Sequence, residues 1–494
     1  MLQKNENQSW RSYQLTLKKT VIARKRERLL SQYSPLLPWA LSIVFALFFS
    51  FGGSACQTGS REKINSPTPI KITAETPLEE AAPADGEPVS FQVPDEPKPE
   101  TPLYSKSDIK KLIDQNTFLN LQDKSFTVSM IDKTLLVETS LDITLQNFLL
   151  DRLEEVKQMK HGQPRHIGIV AINPENGNVL AMASFDKQGQ MSNHCLMSDS
   201  PAASIFKIIT ASAAIEKGWL NPMSSMEYTG NKYTLYQSQL KDKQNKYANR
   251  VTLKQSFAES INPVFGKIGV HMLKKDLLTE FAGAFCFNHD INFELPVSIS
   301  PFEPSDNPYE LAELASGFNR RTYLSPLHGA LLTSVFLNQG RLIEPTIIER
   351  ITDEEGTLLY KSDVKLINSP LSKETSEAVK NMMAATVQSG TARKAFRGFQ
   401  RDPILSKLFI GGKTGSICNT TKELRYDWFS GFAEEKNGSR KIAVSVVVAH
   451  EKLLGPRAGN YAKLTMKTFF NNGYSHPGQT LSKKETSKTH KSVL

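Results

Sequence analysis

The chain has 494 residues, of which 39% are hydrophobic, and a formal net charge of +10. This length allows two or three domains, and the hydrophobic fraction is ordinary for a water-soluble body, so any membrane part must be confined to one segment. The excess positive charge lies at the two ends of the chain, where it indicates a membrane-proximal arm and a solvated tail, and it gives little support to nucleic-acid binding.

An uncharged stretch near the N-terminus is long enough to span a membrane as one helix. It covers residues 35–56, PLLPWALSIVFALFFSFGGSAC, and the 34 residues before it carry eight basic and two acidic side chains. This bias predicts a cytoplasmic arm at 1–34, a single-pass signal anchor in the inner (cytoplasmic) membrane at 35–56, and a body on the periplasmic or extracytoplasmic side. A cleaved signal peptide and a lipoprotein signal at Cys56 are alternatives, and all three interpretations export the body.

The composition of the rest of the chain indicates a spacer, a folded domain and a tail. Residues 57–105 are rich in Pro, Glu and Ala and poor in large apolar residues, which predicts a disordered spacer. Apolar periodicity then begins, and we expect a short lead-in segment at 106–134, a folded domain at 135–472 and a disordered basic tail at 473–494.

Strand-like segments lie at both ends of the expected domain. LDITLQNFLLDRLEEV has helical spacing, and HIGIVAINPENGNVLAMASF reads as two strands joined by a turn at Asn176-Gly177. Strands return in LSKLFIGGKTGS, YDWFSGFAEE and RKIAVSVVVAHE, before a helix near 459–471. This order favours an α/β fold: an antiparallel sheet flanked by helices and completed by both ends of the chain, with a mostly helical lobe at 190–340. A cleft between sheet and lobe would be the natural place for a site.

The chain has four cysteines, none with metal-ligand spacing: Cys56, Cys195, Cys286 and Cys418. A disulfide is permitted outside the cytoplasm, and the sequence does not say whether any pair forms. Buried free thiols are the simpler expectation.

A lysine lies in the otherwise apolar segment SPAASIFKIITASAAIEKG, three residues after Ser204. Ser200 as N-cap and Pro201 at the first helical position predict that Ser204 ends the first turn of a helix that Gly218 terminates. Ser204 and Lys207 then share one helix face, and burial lowers the pKa of a lysine, so Lys207 can act as a base toward the Ser204 hydroxyl. Ser-x-x-Lys alone is weak, because it occurs six times here and a lysine that reaches solvent is the alternative.

Two further segments carry polar groups in a context that suits a ligand. In FIGGKTGSICNT, the glycines allow a ligand close to the strand, while Lys413 and Thr414 offer a cation and a hydroxyl to a carboxylate. SFAESINPVFGKIG places Ser260 and Asn262 at the break between two predicted helices. A literal Ser-Asp-Asn that begins at Ser305 lies in a proline-broken loop and is predicted to be a turn.

With Ser-x-x-Lys, Ser-x-Asn and Lys-Thr-Gly in that order, the chain resembles the penicillin-binding protein transpeptidase domain of the penicillin-recognising acyl-serine transferase family. The resemblance runs from about Leu135 to Phe470 and includes VQSGTARKAF and DWFSGFAEE. It implies a serine β-lactamase/transpeptidase-like fold and a serine-type D,D-transpeptidase. Such an enzyme cross-links peptidoglycan stem peptides ending in D-Ala-D-Ala, is acylated by β-lactams, and needs neither a metal nor an organic cofactor. Other cell-wall synthesis proteins are admissible partners.

The resemblance also implies roles for individual residues. Ser204 would be the nucleophile and Lys207 its general base. Ser260 would pass a proton toward the leaving amine, and Asn262 would bind the substrate amide and orient Lys207. The implied substrate-binding residues are Lys413, Thr414, Gly415 and Ser416. Of these, the first two would hold the terminal carboxylate, and the backbone N–H groups of Ser204 and Ser416 would form an oxyanion hole.

The chain departs from the family pattern in two places. The large N-terminal module usual in monofunctional members is absent or reduced to residues 106–134, and Cys418 stands where a hydroxyl residue is common. The sequence also leaves alternatives open. A D,D-carboxypeptidase or a β-lactamase would differ in how the acyl-enzyme is resolved, and a catalytically silent β-lactam sensor or division scaffold would not turn over at all.

Overall fold

The structure is a computed structural model that describes residues 103–130, 133–241 and 246–471, all within the unit Pro94–Leu494. The predicted arm, signal anchor and basic tail lie outside the described residues, as does the spacer up to residue 102. Within the described ranges, no helix is both long enough and apolar enough to cross a membrane.

The helices and strands of the described residues are numbered in chain order. The α-helices are α1 (Lys106–Leu112), α2 (Ile143–Lys157), α3 (Lys207–Glu216), α4 (Leu253–Ala258), α5 (Asn262–Lys267), α6 (Lys274–Ala284), α7 (Pro308–Ala315), α8 (Pro326–Ser334), α9 (Lys373–Gln388) and α10 (Ala458–Asn471). The strands are β1 (Ser125–Ser129), β2 (Thr134–Thr139), β3 (His166–Ile172), β4 (Val179–Asp186), β5 (Ser200–Pro201), β6 (Ser225–Tyr228), β7 (Asn249–Thr252), β8 (Tyr323–Leu324), β9 (Leu342–Ile343), β10 (Ile348–Thr352), β11 (Leu358–Lys361), β12 (Leu366–Asn368), β13 (Leu408–Cys418), β14 (Arg425–Glu435) and β15 (Lys441–His450).

The main sheet has five antiparallel strands in the order β13-β14-β15-β3-β4. Strands β3 and β4 come from the start of the domain and the other three from its end, which confirms the predicted antiparallel sheet completed by both ends of the chain. Strand β13 lies at the edge of this sheet, with Gly415 opposite Trp428 of β14. One side of β13 therefore stays open to a neighbouring element or a ligand.

Helices cover both faces of the sheet. Alternate residues of β14 point to opposite sides, so Trp428 joins the apolar core shared with the helical lobe while Phe429 joins the core formed with α2 and α10. Because both faces are covered, all seven residues of β3 are buried, and the six that follow His166 form one continuous apolar run. Helices α3 to α8 form the lobe predicted for residues 190–340.

A second, four-stranded sheet has the order β1-β2-β10-β11. It joins β1 of the expected lead-in segment to strands from the middle of the domain. Strand β2 spans the boundary expected at residues 134 and 135, and it pairs with β1 on one side and β10 on the other. The lead-in segment is thus hydrogen-bonded into the folded domain.

The start of α3 corrects one prediction. Ser200 and Pro201 do not cap the helix, because they form strand β5, which pairs with β8. The Trp428 indole donates to the Pro201 carbonyl at 2.9 Å, and the Ala202 N–H donates to Thr322 at 2.9 Å. These tertiary hydrogen bonds hold the backbone extended. The chain then turns at Ala203, with φ of +49°, into an uncapped 3₁₀ turn, Ala203–Phe206, that leads into α3.

Other local predictions are confirmed. The hairpin of β3 and β4 turns at Gly177, with φ of +77°, and Gly218 follows α3 with φ of +71°. Both glycines occupy the left-handed region, where residues with a Cβ are strained.

Two hairpin glycines form a matched pair for a stability test. Gly177 and Gly438 have φ of +77° and +76°, but a Cβ at 177 would lie 2.0 Å from the Glu344 carbonyl oxygen, whereas one at 438 would meet nothing within 4 Å. We expect Gly438→Ala to lower the free energy of unfolding by about 1–2 kcal/mol, the cost of left-handed backbone alone. Gly177→Ala should lower it further, because the backbone near Glu344 must move. Equal losses of unfolding free energy in the two variants, measured by denaturant titration, would contradict the close contact between Gly177 and Glu344.

Candidate active site

The structure brings together the residues singled out in the three sequence motifs. Ser204 comes from the 3₁₀ turn before α3, Ser260 and Asn262 from the break between α4 and α5, and Thr414 from the edge strand β13. With Gly415 and Ser416, these residues line one cleft of about 890 Å³. Lys207 and Lys413 do not line it, because both side chains are fully buried behind its wall.

The amine of Lys207 has three close polar neighbours. Its Nζ lies 2.8 Å from Ser204 Oγ and 2.7 Å from Asn262 Oδ1, and it also contacts the Ser316 carbonyl oxygen. The Phe265 ring lies beneath it, 5.6 Å from Nζ to the ring centroid. Burial, and then the charge of Lys413, holds the pKa of Lys207 well below its usual value of 10.5.

This neighbourhood suits a neutral amine. A neutral amine has two N–H donors and one lone pair, whereas an ammonium has three donors and no acceptor. Asn262 Oδ1 and the Ser316 carbonyl can only accept, and they use both donors. Asn262 is oriented this way because its Nδ2 donates to the Tyr233 carbonyl at 3.0 Å. The remaining lone pair faces the Ser204 hydroxyl, which can therefore donate to Lys207.

Lys413 is a second buried lysine near the same cleft. Its Nζ donates to Ser260 Oγ at 3.0 Å and to the Thr414 carbonyl at 3.1 Å, and it lies 5.5 Å from the centroid of the Phe257 ring. Burial lowers the pKa of Lys413 to about 7. The two lysines are close enough to disfavour double protonation, because the charge of Lys413 contributes to the lowered pKa of Lys207.

Glycines allow the elements to approach closely around Ser204. Gly317 has φ of +61°, and a Cβ there would lie 1.9 Å from the Ala203 carbonyl oxygen. On the other side, a Cβ at Gly415 would lie 3.1 Å from Ala203 Cβ. The turn that carries Ser204 is therefore held between the loop after α7 and strand β13, and its backbone has little freedom to shift.

A similar contact supports the turn that carries Ser260, whose own φ is +58°. A Cβ at Gly390 would lie 2.2 Å from the Ala258 carbonyl oxygen, and the Thr391 N–H donates to that same oxygen at 3.0 Å. Thr391 Oγ1 also lies 2.5 Å from Thr414 Oγ1. The segment after α9 thus links the Ser260 turn to β13.

Several residues at the cleft were not predicted individually. Ser316 and Gly317 belong to ASGFNRR, and Thr391 belongs to VQSGTARKAF. The second segment contributes to the family resemblance only as a stretch of sequence, and the Ser-Gly pair in each segment is a turn signal that could have located these residues. The cleft also contains Tyr233 and six cationic side chains whose place in the site was not predicted: Arg320, Arg393, Lys394, Lys422, Arg425 and Arg457.

The literal Ser-Asp-Asn is a turn, as predicted. Ser305 Oγ accepts from the Asn307 N–H at 3.1 Å, and Asn307 caps α7 by accepting from the Tyr309 N–H at 2.9 Å. Ser305 does not line the cleft. Among the described cysteines, Cys195 and Cys286 are buried free thiols, and Cys418 is a half-buried free thiol that lines the cleft.

Outside the cleft, one group of potential metal ligands was found in the described ranges: His166, His194 and Asp199. The His194 ring is hydrogen-bonded on both nitrogens, to Asp186 at 2.9 Å and to Asp199 at 3.1 Å. The two imidazoles stack, with centroids 4.1 Å apart and planes 12° apart. Since an ion must lie in the plane of each imidazole it binds, these stacked rings do not fit one ion, and a hydrogen-bonded cluster describes them better.

A family model described as the penicillin-binding protein transpeptidase domain matches residues 167–472. Stage V sporulation protein D of Bacillus subtilis (strain 168) is 24% identical over 330 residues, which cover 63% of this chain and 49% of that protein. Peptidoglycan D,D-transpeptidase PbpA of Mycolicibacterium smegmatis is 23% identical over 319 residues, which cover 57% of this chain and 61% of that protein. The chain thus matches about half to three fifths of these relatives' length.

The fold is shared with solved structures. Penicillin-binding protein A from Mycobacterium tuberculosis, solved as an imipenem acyl-enzyme complex, superposes with a TM-score of 0.53 at 19% identity, covering 67% of this chain and 79% of that one. At this identity the likeness establishes the fold alone.

The coupling of the two buried lysines predicts the effect of removing one charge. Lys413→Gln should raise the pKa of Lys207, because repulsion from a neighbouring cation disfavours the protonated form. The titration of Lys207 can be followed by NMR of protein labelled with ¹³C-lysine. The exposed substitution Lys160→Gln should leave it unchanged, and an unchanged or lower pKa in Lys413→Gln would contradict the coupling.

Proposed function

The chain belongs to the penicillin-binding protein transpeptidase family, and from this premise we propose that it is a serine-type peptidoglycan D,D-transpeptidase. The observation that carries the proposal is the contact between Ser204 and a buried lysine whose pKa is held well below its usual value. A neutral amine beside a hydroxyl is the requirement for activating a serine nucleophile without a histidine.

In the acylation step, Ser204 Oγ attacks the carbonyl carbon between the last two D-alanines of a stem peptide, and its proton passes to Lys207 Nζ. The carbonyl oxygen becomes an oxyanion, for which the backbone N–H groups of Ser204 and Ser416 are the proposed donors, each worth about 3 kcal/mol. As the tetrahedral intermediate collapses, the C–N bond breaks, and the leaving D-alanine takes a proton delivered through Ser260. An amine from a second stem peptide then attacks the carbonyl carbon of the acyl-enzyme, the ester bond to Ser204 Oγ breaks, and the proton lost by the amine returns to Ser204, which leaves the cross-linked peptide and the free enzyme.

The two buried lysines have different parts in this mechanism. Lys207 contacts the nucleophile, whereas Lys413 contacts Ser260 and lies behind the cleft wall. Lys413 would therefore act through its charge and through Ser260, while the hydroxyl of Thr414 meets the terminal carboxylate directly. Because the charge of Lys413 contributes to the lowered pKa of Lys207, the pair favours a charged Lys413 beside a neutral Lys207. This ordering supplies a base and a cation within one buried network.

Asn262 is proposed to position Lys207 and to bind substrate. Its Oδ1 accepts from Lys207, and one Nδ2 hydrogen goes to the Tyr233 carbonyl. Since an amide has two N–H donors and Asn262 lines the cleft, its second hydrogen can meet the substrate amide.

We further propose that residues 35–56 anchor the chain in the inner membrane, with the domain on the extracytoplasmic side. The support is the uncharged 22-residue stretch and the basic arm before it. On this arrangement the Pro- and Glu-rich spacer separates the domain from the membrane, where it can reach peptidoglycan.

Labelling by a fluorescent penicillin tests the proposed function. Full-length protein should form an adduct that mass spectrometry places on Ser204, and Ser204→Ala should form none. Ser260→Ala should slow labelling about 100-fold, because a positioned proton relay contributes on that order. Ser305→Ala is the matched control, a serine of a literal Ser-Asp-Asn outside the cleft, and it should label at the wild-type rate.

The adduct should be long-lived, and added D-amino acids should be incorporated into the product when a stem peptide is the substrate. Labelling that persists in Ser204→Ala would overturn the acyl-serine assignment. An adduct that hydrolyses within seconds would favour a β-lactamase, and peptide trimming without amine incorporation would favour a carboxypeptidase.

A further inference from the structure

The charges that line the cleft are unbalanced. It has six cationic side chains and one carboxylate, Asp427. Asp427 is already satisfied, since it accepts two hydrogen bonds from Arg457, at 2.8 and 2.5 Å, and a third from the Ala458 N–H at 2.9 Å. The other five cations are within salt-bridge distance of no carboxylate of the described ranges: Arg320, Arg393, Lys394, Lys422 and Arg425. The charge of Arg320 does oppose the burial that raises the pKa of nearby Glu313.

Two of these five are held against the strand that carries the Lys-Thr-Gly motif. Arg320, from the loop after α7, donates from Nε to the Cys418 carbonyl at 2.8 Å. Arg425, the first residue of β14, donates from Nε to Ser416 Oγ at 3.1 Å. Each contact uses only Nε, so both Nη groups stay available in a planar, two-pronged arrangement that matches a carboxylate.

The remaining three come from the turn after α9 and from the loop that leads into β14. Arg393 and Lys394 are exposed in the turn that follows Thr391, and Lys422 is exposed in the loop between β13 and β14. All three line the same cleft as Ser416 and Cys418. Three separate parts of the chain thus place positive charge around this cleft.

This charge exceeds what one terminal carboxylate requires. A peptide ending in D-Ala-D-Ala brings a single negative charge at its end, and Thr414, with Lys413 behind it, is the proposed site for it. Five further cations in one cleft repel one another in the empty protein, and an anionic ligand relieves that repulsion. Because a cleft of one sign focuses the field, the excess charge also favours the approach of an acidic ligand.

We propose that these five cations select acidic peptides, in which carboxylates other than the terminal one are free, over the same peptides with those carboxylates converted to carboxamides. The inference rests on the proposed transpeptidase function and specifies its substrate class. The named cations act as specificity-determining residues, since a carboxamide has no net charge and can accept only through one oxygen.

The test compares two synthetic stem peptides of the same length, both ending in D-Ala-D-Ala, that differ only in internal carboxylates or carboxamides. With full-length protein and an acceptor amine, the acidic peptide should be favoured about tenfold or more in kcat/KM at low salt, chiefly through KM. The preference should shrink as salt is raised, because exposed charges are screened. The double substitution Arg393→Gln and Lys394→Gln should reduce it several-fold.

The matched control removes the same charge elsewhere. Lys111→Gln with Lys160→Gln alters two exposed lysines outside the cleft and should leave the preference unchanged. Equal kcat/KM for the two peptides, or a preference for the carboxamide form, would overturn the inference. A preference unaffected by the Arg393 and Lys394 substitutions would overturn its assignment to these residues. Penicillin labelling of Ser204 in the same preparations separates the outcomes, since its absence from the wild type would instead overturn the proposed function.

Discussion

The site depends on one interaction, the hydrogen bond between the Ser204 hydroxyl and a fully buried lysine amine. Water would stabilise the ammonium form of Lys207, so the lobe must exclude water around it and supply two acceptors that fit a neutral amine. Asn262 and the Ser316 carbonyl meet that requirement. The cost of burying this amine is tolerated because each of its polar contacts is satisfied, and the result is an amine whose lone pair can accept the proton of the Ser204 hydroxyl.

Much of the surrounding structure serves to hold that contact in place. The turn of Ser204 is enclosed between Gly317, where a Cβ would require the backbone to move, and Gly415, where a Cβ would make a tight contact with Ala203. Because β13 is the edge strand of its sheet, its Lys-Thr-Gly segment lies beside the same turn, and one side of the strand faces the cleft. The second lysine, Lys413, links this strand to Ser260 and adjusts the protonation of Lys207 by its charge. In the function that we propose, the cations around the cleft would select the ligand and Lys207 would activate the nucleophile.

The sequence predicted the features that depend on local periodicity and on motif order. The sheet completed by both chain ends, the helical lobe and the choice of Ser260 over Ser305 follow from apolar spacing and from where proline and glycine interrupt it. The predicted start of α3 was wrong. Ser200 and Pro201 are residue types that favour the first positions of a helix, but the Trp428 indole and strand β8 hold them in an extended conformation. Tertiary hydrogen bonds overrode the local preference there. The cationic cleft could not be predicted, since its residues converge from distant segments and none forms a pattern in sequence.

The most direct test of this account is the pH dependence of the second-order rate constant for Ser204 acylation by a penicillin, measured on the full-length protein. If Lys207 is the base, the rate should reach its maximum well below pH 10.5, the usual pKa of a lysine, because burial and the neighbouring charge favour the neutral amine. A rate that continues to rise about tenfold per pH unit through pH 10 would show that Lys207 stays protonated, and would contradict its role as the base.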